Sequence, residues 1–173
     1  MTTSHSRTPA PPEPARNRSG KRTDYSGAVY GSMLAASVIA ASNVSEPHAR
    51  LSLIVLLMIT GLVFWAAHVY ANVAGSREIG RPITFAKVHR VGVREWSLVE
   101  AAVLPAVAVL ISPWLGMDET AWLALGVAIT QQVGWATLGA RRAGATWGQT
   151  TAEGAVNLVL GLIIVAAKVA VGH

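Results

Sequence analysis

LSLIVLLMITGLVFWAAHVYANVAG, residues Leu51 to Gly75, is an uninterrupted run of 25 residues without Asp, Glu, Lys or Arg. As a helix rising about 1.5 Å per residue it is long enough to cross a bilayer core of about 30 Å. Near its far end His68 and Asn72 stand one helical turn apart and share a face. No water is available at such a depth, so each must find a partner on another segment.

Outward from this run the composition keeps to the same pattern. Apolar residues make up 52% of the 173-residue chain and charged residues only 13%, half the usual share for a soluble domain. The charges are segregated between long apolar runs, which is the membrane pattern. The net charge of +5 does not indicate nucleic acid, because the basic residues flank apolar segments and no helix-turn-helix or zinc-finger spacing occurs. With no Cys, disulfides, thiolate metal sites and Cys nucleophiles are excluded.

Residues 1–24, rich in Pro, Ser, Thr and Arg, read as a disordered basic cytoplasmic tail, and residues 25–173 as a five-span membrane domain. The expected fold is all-α: a transmembrane bundle of five helices, about 26–42, 51–75, 96–115, 121–140 and 149–171. The alternative for the first apolar run is a secretory leader cleaved near Ala40-Ala41-Ser42. Gly27, Gly31 and Ala35, at four-residue spacing on the first span, admit close approach of another helix, either within the chain or in a homo-oligomer. Between spans two and three, TFAKVHRVGVRE from Thr84 reads as a short amphipathic cytoplasmic helix. Thr84 is its N-cap, and the basic 76–95 segment offers a surface to anionic lipid or to a cytoplasmic protein partner. Pro105, inside the third span, leaves the Ala101 carbonyl needing a new partner.

Orientation follows from the cations. With the N-terminus inside, twelve Lys and Arg lie in inner segments, and only Arg50 and Lys168 lie on the outer side. The positive-inside rule then places the chain in a plasma membrane with a cytoplasmic N-terminus and an external C-terminus. Trp96 and Trp147 fall at the inner interface and Trp114 and Trp122 at the outer, while Trp65 and Trp135 pack inside the bundle or face lipid.

Measured along the helices from the inner boundary, His68 lies about 10 Å deep, Glu100 about 6 Å and Glu153 about 9 Å. With Asn72 and Asn157 they form the candidate polar cluster, in the cytoplasmic leaflet. A charge there costs roughly 2.5–3.5 kcal/mol, so such groups are expected to face the bundle interior, and a set that titrates near neutrality suits a proton or cation relay. Against this, each acid near a helix start also complements the helix dipole, and His68 has an ordinary use as an interhelical hydrogen-bonding group. Gln131 and Gln132 read as interhelical contacts, and Lys168 as a side chain snorkelling outward along a polar face with Glu153, Asn157 and Gly161.

The words FWAAHVYANVAG, REWSLVEAAVLPA and ARRAGATWGQTTAEGAVNLVLGLIIVAAKVAV resemble a group of small, uncharacterised integral membrane proteins from high-GC bacteria. The resemblance covers everything but the tail. It implies a bacterial plasma-membrane fold and no activity. Two functions remain from the residues: a small proton- or cation-translocating subunit, or a non-catalytic interaction or assembly protein. An enzyme has the least support, since no nucleophile and base pair, phosphate loop or metal box occurs, and no cofactor is implied.

Overall fold

The computed structural model of the chain describes residues 25–42, 49–76, 84–116 and 120–171. The expected tail (1–24), most of the connection after the first span (43–48), the 77–83 part of the basic segment and the 117–119 turn lie outside them. The described residues are all helical: α1 (Tyr25–Ala41), α2 (Ala49–Gly75), α3 (Phe85–Arg94), α4 (Ser97–Ile111), α5 (Thr120–Arg142) and α6 (Trp147–Val171), with a 3-10 turn, Ser112–Leu115, ending α4.

Three helices are long and apolar enough to cross a bilayer: Ala49–Gly75, Ser97–Leu115 and Trp147–Val171. The other two expected spans fall short for different reasons. α1 is apolar, but its 17 residues rise only about 25 Å. α5 has the length, with 23 residues, but Thr130, Gln131 and Gln132 interrupt its apolar run. Only 11% of the most apolar stretch of α2 and of α6 is buried within the chain, against 50% for α4. The outward faces of α2 and α6, rich in Leu, Ile and Val, therefore have no cover from the other described residues, a surface suited to hydrocarbon.

The short helix organises the packing. α1 touches α2, α4, α5 and α6, and those four form an arc around it in the order α2, α4, α5, α6. Its small residues permit this. A Cβ at Gly27 would stand 2.8 Å from the Ser97 hydroxyl, and one at Gly31 2.8 Å from the Ala101 Cβ and 2.9 Å from the Leu98 carbonyl oxygen. The Gly27, Gly31 row thus lies against α4 of the same chain. Contacts at Gly61 (Leu98 to Ala102), Gly139 (Tyr25), Gly154 (Thr137) and Gly161 (Ile129) fix the directions: α1, α4 and α6 run one way, α2 and α5 the other.

Local chemistry sets the ends. α5 stops at a left-handed glycine, Gly144 (φ 86°), where the Ala145 amide donates to the Ala140 carbonyl and the Gly144 amide to that of Arg141. This is a Schellman closure, available cheaply only to Gly. α6 starts three residues later, at Trp147, behind a capping box. The Gln149 amide donates to the Thr146 hydroxyl (3.3 Å), and the Thr146 amide to Gln149 Oε1 (2.9 Å). The T-x-x-Q spacing carried that signal in the sequence.

The core divides along the bundle. Toward the end of α1 it is apolar, built from Ala36, Ile39, Leu53, Leu57, Val109 and Leu125 among others. Toward the start of α1 the bundle surface carries cations and aromatic rings. There Tyr25 receives a hydrogen bond from the Arg142 guanidinium and packs on Trp135, while Arg141 lies over the Trp147 ring, 3.4 Å from its centroid.

Candidate functional site

The five expected cluster residues do not converge on one place. His68, half-buried, lies with its ring centroid 5.6 Å from that of Tyr30 on α1. One turn on, Asn72 donates to the His68 carbonyl (3.0 Å) and to a carboxylate oxygen of Glu95 (3.4 Å). Asn157, on the far side of the arc, accepts from Gln132 Nε2 through both its backbone oxygen (3.2 Å) and its Oδ1 (3.3 Å). Glu100 and Glu153 are exposed on the outside of the bundle. Among the described residues no three His, Asp or Glu side chains are grouped so as to hold a metal ion.

The depth estimate misleads because the helices are not flush. Gly61 on α2 stands opposite Leu98 to Ala102 on α4, which puts Glu100 level with Gly61. His68 is seven residues nearer the end of α2, about 10 Å away along the axis. Glu153 belongs to α6, at the opposite edge of the arc from α2. Equal distances from each helix's own end therefore do not mean equal depth, because α2 extends well past the start of α4.

The carboxylate that does meet the α2 pair is Glu95, which the sequence places in a connection and outside the spans. It is 4% exposed. It follows α3 directly, donating its backbone amide to the Val91 carbonyl (2.9 Å), and its side chain turns inward beneath the start of α1. The close approach that Gly27 permits leaves room for it: Glu95 Oε2 lies 3.8 Å from where a Gly27 Cβ would stand. The only sequence signal was its position one residue before Trp96, at the interface.

Three further contacts fasten α3 along the overhanging end of α2. Trp65 Nε1 donates to the Gly92 carbonyl (2.8 Å), the Trp65 and Trp96 rings meet edge to face at 5.6 Å, and Lys87 Nζ donates to the Ser76 carbonyl (2.9 Å). Thr84 does hold the N-cap position of α3, but its side chain makes no capping bond.

The remaining polar side chains bridge helices. Gln131 Nε2 donates to the Ala101 carbonyl (3.2 Å), the group that Pro105, inside α4, deprives of its helical donor. The Oε1 atoms of Gln131 and Gln132 and the Trp135 indole nitrogen are buried without partners among the described residues. Lys168 does not snorkel outward. Its ammonium donates to the carbonyls of Ala40 (3.1 Å), Ser42 (3.3 Å) and Ile39 (3.4 Å) and so caps α1, whose end needs a cation more than the lysine needs water. The inward seam of α6 accordingly runs through Thr150, Gly154, Asn157, Gly161 and Lys168, and Glu153 stands beside it on the exposed face. Compared with known protein families, curated proteins and solved structures, the chain matches none.

Proposed function

We propose that the chain is a five-span bundle of a bacterial plasma membrane, with the N-terminus and α3 cytoplasmic and the C-terminus outside, acting as a non-catalytic interaction or assembly protein. The observation that carries the functional part is the use of its polar groups. Gln131, Gln132, Asn157 and Lys168 end on neighbouring helices, and the two carboxylates that a relay would require, Glu100 and Glu153, face away from the bundle. Such groups specify how helices meet.

The positions of cations and aromatics support the orientation. Lys87, Arg90, Arg94, Arg141 and Arg142 gather at the end where α1 starts, together with the exposed Trp96 and Trp147. At the opposite end stand the exposed Trp114 and Trp122. That distribution fits an inner and an outer interface. A partner on the cytoplasmic side would meet α3, which α2 holds firmly in place.

One observation favours a second reading, a small proton- or cation-translocating subunit: the buried Glu95 beside Asn72, with His68 one turn along. Flux separates the two. Purified protein reconstituted into vesicles with an internal pH dye is expected to leak protons and monovalent cations no faster than protein-free vesicles. A pH-dependent flux that Glu95→Gln or His68→Ala abolishes would establish translocation and overturn the non-catalytic reading.

A further inference from the structure

We infer that one water molecule is bound inside the bundle between α5 and α1, donating to Gln131 Oε1 and Gln132 Oε1 and accepting from the Trp135 indole N–H. The inference concerns polar atoms that join no helix to another, and so goes beyond the assembly reading.

Two side-chain amides are pinned by their nitrogens. Gln131 Nε2 donates to the Ala101 carbonyl of α4, and Gln132 Nε2 donates to the backbone oxygen and the Oδ1 of Asn157 on α6. All of these partners are acceptors, so turning either amide over would set oxygen against oxygen. Each Oε1 is therefore fixed on the side of its amide away from that partner, and both are buried without a partner among the described residues, as is the Trp135 indole nitrogen. Gln132 is wholly buried, with 0% of its surface exposed.

The three atoms belong to one sector of α5. At about 100° per residue, Trp135 stands about 40° round the helix from Gln131, and Gln132 about 100°. Trp135 is thus the neighbour of both, one turn along, at Cβ spacings of about 5–6 Å, which a molecule making bonds of about 2.7–3.2 Å can bridge. Helix α1 covers this sector: Gly139 meets the Tyr25 side chain, and the Trp135 ring packs on Tyr25 as well. The two helices run antiparallel, so seven residues along each from the Tyr25–Gly139 contact brings Ser32 level with Gln132. Ser32 and Ala28, one turn before it, are buried and small, and the Ser32 hydroxyl donates to the Ala28 carbonyl (2.8 Å). Its hydrogen is therefore not available to the amide oxygens.

The atoms left over select the occupant. Two acceptors and one donor remain, and a water, with two hydrogens to give and lone pairs to receive, completes all three, about the usual number of bonds for a buried water. A metal cation or an ammonium ion would satisfy the two oxygens and leave the indole N–H unpaired against a positive charge.

The test reads the six tryptophan indole N–H signals of the full chain, isotopically labelled at the indole nitrogen, in deuterated detergent micelles. Trp135→Phe assigns the signal of interest. Wild type is expected to show a dipolar cross-peak between the Trp135 indole proton and water, opposite in sign to the diagonal in the rotating frame, which marks a held water and not proton exchange. The same signal should resist broadening by a soluble gadolinium chelate, as a site shut off from bulk water must. Gln131→Leu with Gln132→Leu removes both acceptors and should abolish the cross-peak. Exchange alone, or no cross-peak, at Trp135 in wild type would overturn the inference without recourse to any variant. So would a cross-peak that persists undiminished in the double-leucine variant, or a Trp135 signal broadened as strongly as that of Trp147, 73% exposed, which would assign the contact to bulk water.

Discussion

Helix α4 runs through a proline, and a glutamine from the neighbouring helix supplies the donor that the proline removes. Pro105 has no N–H, so the Ala101 carbonyl lacks its helical partner, and Gln131 Nε2 sits 3.2 Å from that oxygen. Gln131→Leu removes this bond and also removes the unpartnered buried Oε1 of the same amide. The two effects oppose one another, so the single variant is a poor measure of the bond. Pro105→Ala separates them. It restores a backbone N–H to the Ala101 carbonyl and makes the amide donor redundant, while the relief at Oε1 stays the same. The cost of Gln131→Leu should therefore be greater in the Pro105 background than in the Pro105→Ala background. The expected difference is about 0.6 kcal/mol, the average interhelical hydrogen bond in a membrane protein, with an upper bound of about 1.7 kcal/mol. Reversible unfolding in mixed micelles of rising SDS fraction, followed by tryptophan fluorescence, supplies the four stabilities. Equal costs in the two backgrounds would refute the pairing of Gln131 with the proline.

Four further outcomes are expected from the same assay. Gly31→Ala puts a methyl group 2.9 Å from the Leu98 carbonyl oxygen, backbone that cannot rotate away, and should cost about 1–3 kcal/mol. Gly126→Ala, with nothing within 4 Å, should change stability by less than about 1 kcal/mol, in the stabilising direction. Lys168→Met uncaps the end of α1 and should cost about 0.3–2 kcal/mol, with faster amide exchange confined to the last turn of α1. Thr146→Ala breaks the capping box of α6 at a cost of about 1 kcal/mol, which Thr146→Ser should largely recover.

Helix positions were readable from the sequence and helix faces were not. Charge-free runs, and the Gly and Pro between them, mark where helices stop: α1, α2, α5 and α6 begin and end within two residues of the expected limits, whereas α4 stops at Ile111 and reaches 115 only through its 3-10 turn. The need created by Pro105 was equally plain, since a missing N–H is a property of one residue. Rotation about the helix axis and offset along it come from packing between helices. α2 has apolar residues on every side, so nothing in its own sequence announced that it overhangs α4 and carries His68 and Asn72 past the level of Glu100. Glu95 was hidden for the same reason. A carboxylate between an amphipathic helix and a tryptophan reads as a surface residue until Gly27 is seen to admit it beneath α1. The role of Lys168 is not legible in the sequence, because a lysine near a helix end usually finds water and the carbonyls it caps lie 126 to 129 residues earlier.

The account depends on an odd number of crossings, with α3 on one side and the end of α6 on the other. The chain has no cysteine, so single cysteines report position without background. Thr84→Cys, Ala143→Cys, Leu115→Cys and Val171→Cys, all at exposed positions, are expressed in intact bacterial cells and treated with a membrane-impermeant maleimide. The account predicts that Leu115→Cys and Val171→Cys react in intact cells, and that Thr84→Cys and Ala143→Cys react only after permeabilisation. Labelling of Thr84→Cys and Val171→Cys from the same side would contradict it.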